Sequence, residues 1–242
     1  MAQLQPTVWR LRTDYLDDAC QERFHAILDQ TEQVRAGRFF SAQDRREFVA
    51  CHALLRIMLS RIAGRPPYEW TFSLGLHGKP SVAADHGLPD LQFNIAHTKG
   101  LVVAAVAGRH HIGVDVEIFQ SCSDQLDLAR RFFASAEAEL VGRASKLDRP
   151  RVFTQLWTLK EAHVKATGIG LSAPLDSFVF DLEPLRVQFL GESAHIPAAW
   201  QFATSVITER HILSVALHVP DQEAQRVTLS EVSGAELKAA IA

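Results

Sequence analysis

Two stretches of this chain repeat apolar residues at helical spacing over a long run, and glycine stops both. From Ser41 to Gly64, the residues Phe48, Leu55, Met58 and Ile62 recur at spacings of seven, three and four, which places them on one helix face. Ser41 or Asp44 offers an N-cap, and Gly64 with Pro66 and Pro67 ends the run. From Arg151 to Thr167, Val152, Leu156, Leu159 and Ala166 mark a second stripe, closed by Gly168 and Gly170. Ala134–Ala144 reads as a shorter helix, residues 68–82 as turns and short extended pieces, and Ser121–Arg131 as a polar loop running into a short helix. The remaining apolar runs have strand character. Leu91–Ala96 and Leu101–Ala107 are joined by the polar turn His97–Gly100, and Ile112–Ile118 follows. Later come Phe178–Leu182, Leu185–Leu190, Gln201–Ile207, Ile212–Val219 and Val227–Val232. One long helix with several strands in each half predicts an α+β chain of two similar-sized lobes, 1–110 and 111–242, dividing near Arg109–His111.

Composition narrows the function classes. An apolar fraction of 47% in 242 residues provides for a sizeable core. A formal net charge of −3 gives no field for a polyanion such as nucleic acid. Cys20, Cys51 and Cys122 are scattered, without CxxC spacing, so a reducing, cytoplasmic setting is expected rather than a disulfide framework or a zinc site. The first residues have no apolar signal core, and runs such as Leu101–Ala107 fall far short of the roughly 20 residues that span a bilayer. His110 and His111 have no third ligand at recognisable spacing. Neither a GxxxxGK[ST] nor a GxGxxG motif occurs.

The sharpest local feature is GVDVE, Gly113 to Glu117. In a strand, Ile112, Val114, Val116 and Ile118 point into the core, and Gly113, Asp115 and Glu117 point the other way. Two carboxylates then stand about 7 Å apart along the strand, a repulsion that a hard divalent cation relieves. The plainer reading is a half-exposed strand whose outer face is acidic.

The second feature is WTLKEAHVKATGIGL, Trp157 to Leu171. Trp157, Glu161 and Lys165, spaced by four, share a helix face, with Lys160 and Val164 on the adjacent flank. A third carboxylate, Glu161, could join the strand pair around one magnesium and take a proton from an attacking hydroxyl. The plainer reading is a surface Glu–Lys pair. Basic residues suited to phosphate oxygens recur upstream. Arg35 and Arg38 precede Phe39 and Phe40, Arg45 and Arg46 open the first long helix, Arg56 lies further along it, and Lys79 sits in GKP. FNIAHT ends in His97 and Thr98.

In series, GKP, FNIAHT, IGVDVE and WTLKEAHVKATGIGL resemble the signature of the long, surfactin-synthetase-activating 4'-phosphopantetheinyl transferases, and RFF and DRR at Arg38–Arg46 extend the resemblance upstream. It covers Arg38 to Leu171; no motif is recognised after about Leu190. The resemblance implies a pseudo-dimer of two α/β lobes with coenzyme A in the cleft, working as a monomer. It implies that Asp115, Glu117 and Glu161 hold Mg2+ (the same oxygens suit Mn2+), that Lys165 contacts the phosphate under attack, and that Lys160 lies nearby. Lys79, His97, Thr98 and one of Arg45 or Arg46 would hold the nucleotide with its 3'-phosphate, with Arg38 and Asp115 as further coenzyme A contacts. The partner would be an apo acyl or peptidyl carrier protein, docking on residues 120–131 with Phe132 and Phe133 as apolar contacts. Two departures stand out: Ala96 replaces a frequent Ser, and His163 stands where a large or aromatic residue is common. Two other classes fit the same carboxylates: a metal-dependent phosphohydrolase, and a non-catalytic module that binds coenzyme A or a carrier protein.

Overall fold

The computed structural model describes residues 4–120, 124–170, 173–191 and 195–241. Ser121, Cys122 and Leu171, which the sequence reading used, lie outside them. The chain forms two compact units, one of residues 1–110 with 226–242 and one of residues 111–225.

The first unit contains β1 (Thr7–Arg12), α1 (Asp18–Ala26), α2 (Gln30–Ala36), α3 (Ala42–Ala63), β2 (Phe72–Leu74), β3 (Pro80–Val82), β4 (Gln92–Thr98) and β5 (Leu101–Ala107), then β11 (Thr228–Val232) and α7 (Gly234–Ala239) at the end of the chain. Its sheet runs β11-β1-β5-β4. β1 is parallel to β11 and antiparallel to β5, and β4 and β5 form a hairpin. This pairing takes the last strand out of the lobe expected over 111–242 and adds it to the first unit. Helix α3 forms because its apolar side chains meet the sheet. Phe48, Cys51, Leu54, Leu55 and Met58 are buried in one core with Val102, Ala104 and Val106 of β5. The Ser41 side chain accepts from Asp44 N at the helix start, and Gly64 ends it at φ +66°.

The second unit contains β6 (Ile112–Ile118), α4 (Gln125–Phe132), α5 (Ser135–Arg143), α6 (Arg149–Thr167), β7 (Phe178–Leu182), β8 (Leu185–Phe189), β9 (Trp200–Val206) and β10 (His211–His218). Its central sheet is antiparallel in the order β6-β10-β9, and β7 and β8 form a separate hairpin. The long helix α6 packs across β6 and β10. Each unit is thus a small, mainly antiparallel sheet with one long helix.

Four segments that the sequence reading left without structure are regular: β1, α1, α2 and α7. β1 escapes notice because its burial is irregular, with only Val8 and Leu11 deeply buried. The short helices α1 and α2 begin at capping aspartates. Asp17 accepts from Cys20 N, and Asp29 forms a reciprocal capping box with Glu32. The D-x-x-E spacing of Asp29 and Glu32 was the legible sign of α2.

Candidate active site

The two acidic motifs meet in the second unit. Asp115 is central on β6, and its register partner is Ser214 of β10. The strand is not half-exposed with an acidic outer face. Every residue from Ile112 to Val116 is buried, because α6 covers the face that holds Gly113 and Asp115. The crossing is close. A Cβ built on Gly113 would stand 2.0 Å from Ala162 O and 2.4 Å from Ala166 N. Only glycine lets the helix backbone approach this far.

The approach brings Lys165 to the strand. Its Nζ donates to Asp115 Oδ1 at 2.5 Å. The other oxygen, Asp115 Oδ2, is buried. Burial alone works against the Lys165 ammonium, but Asp115, Glu161 and Glu117 outweigh it and hold its pKa above the usual lysine value. Glu161 responds oppositely. Burial and then the Asp115 charge push its carboxyl upward, with Lys165 only partly countering. Lys165 therefore pairs with Asp115, and the plainer reading of a surface Glu161–Lys165 pair does not hold. Three carboxylates act on one ammonium, Asp115 by direct contact and Glu161 and Glu117 through their charge, and over these four side chains negative charge is in excess.

That excess fits a divalent cation. Among the described residues no three His, Cys, Asp or Glu side chains are gathered into a set that would enclose a metal, so the three-ligand set expected from the resemblance is not preformed. Magnesium does not need such a cage, since it commonly takes one or two carboxylates and completes its shell with water and substrate phosphates. Buried Asp115 with Glu117 and Glu161 nearby is a donor set of that kind.

Lys160 has a different role from the one expected. Its side chain is fully buried. It pairs with Glu137 at 2.8 Å and donates to Leu175 O at 2.7 Å and Phe178 O at 2.6 Å. Its three N–H groups are thus used, and it cannot also hold coenzyme A. Burial pushes Lys160 down and Glu137 up, and each charge opposes the other's shift. Glu137 also accepts from Phe180 N, so the pair ties α5, α6 and β7 together. Nothing in the sequence motifs pointed to Glu137.

Trp157 packs with Phe132, Phe133 and Phe153. Phe133 is buried in this cluster and Phe132 half-buried, so Phe133 is a core residue rather than a docking contact. His163 packs among the rings of Phe178, Phe189 and Trp200, tilted against the first two and edge-on to the third. Burial, reinforced by His195, Lys160 and His218, lowers its pKa to about 3. It is a neutral aromatic ring in function, which is how it occupies a position suited to large residues.

The basic candidates belong to the first unit. His97 and Thr98 end β4 rather than forming part of the turn, which shortens to Lys99 and Gly100 with Gly100 at φ +86°. Lys79 follows Gly78, which turns at φ +80°, and desolvation lowers its pKa to about 8. Arg38 and Arg45 are exposed. Arg46 donates to Leu16 O at 3.0 Å and Asp18 Oδ1 at 3.3 Å, so of the two neighbours Arg45 is the one open to a ligand. Arg56 is no anion contact. It is fully buried and spends its donors on Asp29, Glu32, Pro67 O and Trp70 O. Arg35 lies over the Phe48 ring.

Comparison with known proteins agrees with the motif series. Residues 111–216 match the family model described as the 4'-phosphopantetheinyl transferase superfamily, and residues 18–109 match that of the 4'-phosphopantetheinyl transferase N-terminal region. The chain is 31% identical over 210 residues to the 4'-phosphopantetheinyl transferase HetI of Nostoc sp., covering 87% of this chain and 86% of that protein. It is 33% identical to a putative 4'-phosphopantetheinyl transferase of Synechocystis sp., over 78% of this chain and 75% of that one. It is 32% identical to the 4'-phosphopantetheinyl transferase Sfp of Bacillus subtilis, over 65% of this chain and 67% of Sfp. The acidic strand, the helix crossing it and these similarities together assign the chain to the 4'-phosphopantetheinyl transferase superfamily.

Proposed function

We propose that this chain is a magnesium-dependent 4'-phosphopantetheinyl transferase of the long type. It moves the phosphopantetheine arm of coenzyme A to a serine of an apo acyl or peptidyl carrier protein. The observation that carries this reading is the contact of half-buried Lys165 with buried Asp115, beside Glu161, whose carboxyl is pushed upward by burial and by Asp115. Glu161 is suited to accept a proton, because a raised carboxyl pKa brings a base closer to working pH.

In the reaction, Glu161, directly or through a water, takes the proton from the carrier serine. The serine oxygen forms a bond to the phosphorus attached to pantetheine, and the bond from that phosphorus to the leaving oxygen breaks. Adenosine 3',5'-bisphosphate departs with the electron pair. Lys165 donates to the phosphate oxygens and offsets charge as it develops. Asp115, Glu117 and Glu161 would hold magnesium, which supplies Lewis-acid neutralisation of the pyrophosphate. Lys79, His97, Thr98 and Arg45 hold the nucleotide, with Arg38 as a further contact. No covalent enzyme nucleophile is required, since positioning and charge stabilisation carry phosphoryl chemistry.

The family's resemblance supports a monomer with coenzyme A as co-substrate. Cys20 and Cys51, neither of them in a disulfide, suit a reducing cytoplasm, and no helix among the described residues is long and apolar enough to cross a membrane. Intact-mass analysis of an apo carrier protein with this chain, coenzyme A and magnesium tests the reading. A gain of one phosphopantetheine, lost with chelator and with Glu161→Gln, is expected. No gain on acyl or peptidyl carriers would overturn it, and a chelator-insensitive gain would overturn the metal assignment.

A further inference from the structure

Three glutamates are almost wholly buried: Glu32, Glu47 and Glu137. Two of them meet a fully buried cation, Glu32 with Arg56 and Glu137 with Lys160. Glu47 does not. The one basic side chain it meets among the described residues is His97, which is 42% exposed and whose Nδ1 stands 3.9 Å from Glu47 Oε2. The other oxygen, Oε1, accepts from Gly100 N at 2.9 Å and from Gln43 Nε2 at 2.6 Å. A buried carboxylate matched only by a surface imidazole is a costly arrangement for stability alone. Gly100 follows His97 and Thr98 through the two-residue turn, so one side chain of α3 holds the turn by a hydrogen bond to Gly100 and faces the His97 ring before it, in the segment that the proposed function gives to the nucleotide.

We propose that Glu47 is a positioning residue for coenzyme A: it anchors the Lys99–Gly100 turn and faces His97 Nδ1, so that the doubly protonated ring of His97 presents its opposite N–H to the 3'-phosphate. This rests on the reading of His97 as a nucleotide contact. The carboxylate touches no part of the substrate. It orients the ring, and its negative charge stabilises the imidazolium, in which both ring nitrogens are donors. The consequence is selective. Only a substrate with a 3'-phosphate gains from Glu47.

The test compares coenzyme A with dephospho-coenzyme A, which lacks that phosphate. Glu47→Gln retains an acceptor for Gly100 N and removes the charge facing His97. Turnover with an apo carrier and calorimetric affinity are both measured. The expected result is a rise of about tenfold in KM and Kd for coenzyme A, the effect of losing one charge-assisted contact. Neither value should move for dephospho-coenzyme A, and kcat should stay within about twofold. In a His97→Ala background, Glu47→Gln should add nothing further. Equal changes for both ligands would reduce Glu47 to a structural residue and overturn the proposal. So would unchanged values for both, or a wild-type protein indifferent to the 3'-phosphate. A wild-type protein that binds coenzyme A yet transfers nothing would defeat the transferase reading instead, and the calorimetric comparison would still decide the role of Glu47.

Discussion

Gly113→Ala should damage this protein more than any other single methyl group. The added Cβ would lie 2.0 Å from Ala162 O, whereas ordinary contact begins at 3.4 Å. Helix α6 must therefore retreat from β6 by about 1.4 Å, the difference of those two distances. Both obstructing atoms are backbone, so no rotamer change relieves the clash. If α6 moves as a unit, Lys165 Nζ withdraws from 2.5 Å to about 3.9 Å from Asp115 Oδ1, beyond hydrogen-bonding range. Overpacking of this kind costs about 1–3 kcal/mol, and loss of the charged contact adds about 1.5 kcal/mol. Together these come to about 2.5–4.5 kcal/mol, and at roughly 2–4 °C per kcal/mol Tm should fall by about 5–18 °C. Transfer should fall roughly a hundredfold even well below Tm, since a displacement of about 1 Å at reacting groups has that effect. Gly142→Ala is the control. Its Cβ would meet only Leu126 Cδ1, at 3.5 Å, and alanine in a helix is neutral to stabilising. Calorimetry with single-turnover mass analysis at saturating coenzyme A and carrier gives both numbers. A Gly113→Ala protein that melts within about 2 °C of wild type and transfers at the wild-type rate would refute the account of how α6 is held.

Lys79, lowered by desolvation to about 8, is charged at pH 7 and neutral at pH 9. Because a phosphate is attracted only to the charged form, KM for coenzyme A should rise as pH passes through about 8, and Lys79→Met should abolish that step; a flat profile in wild type removes Lys79 from the site. Glu137→Gln leaves the Lys160 ammonium buried without its counter-charge and should cost about 3–5 kcal/mol in urea denaturation. Glu137→Gln with Lys160→Met should recover part of it, and a loss under about 1 kcal/mol in the single variant would show that the pair is not what ties α5, α6 and β7 together.

The legible part of this molecule is the part with a period. The strands from Phe178 onward lie within a residue of their expected ends, because alternating apolar residues between turn signals leave little freedom in register. Asp115, Glu117, Glu161 and Lys165 were legible through the fixed spacings of strand and helix. What spacing does not carry is the second partner. The period-two pattern of β6 is compatible with water on one face, and only the glycine at 113 hints that a helix backbone lies there instead. The same ambiguity affected the last strand, whose sequence reads as β without saying that it pairs with β1.

Buried charges form the harder class, and here they share a sign that sequence does contain. Glu47 lies in register with Cys51, Leu54 and Met58, at spacings of four, three and four, and all of them are buried. Lys160 continues Phe153 and Leu156 and precedes Val164, again on an apolar stripe. Arg56 follows Val49 and Ala53. By contrast Glu161 and Lys165 follow one another on a face whose apolar member, Trp157, is only half-buried. A charge on a core stripe must find its partner inside, because isolated burial is prohibitive. A charge off the stripe has donors or acceptors left for a ligand. Lys160 and Lys165 are five residues apart in one motif, yet they fall on opposite sides of this rule. The stripe separates the lysine that holds the fold from the lysine to which the proposed function gives the phosphate, and Glu47 is the exception, a stripe position whose partner is the partly exposed His97.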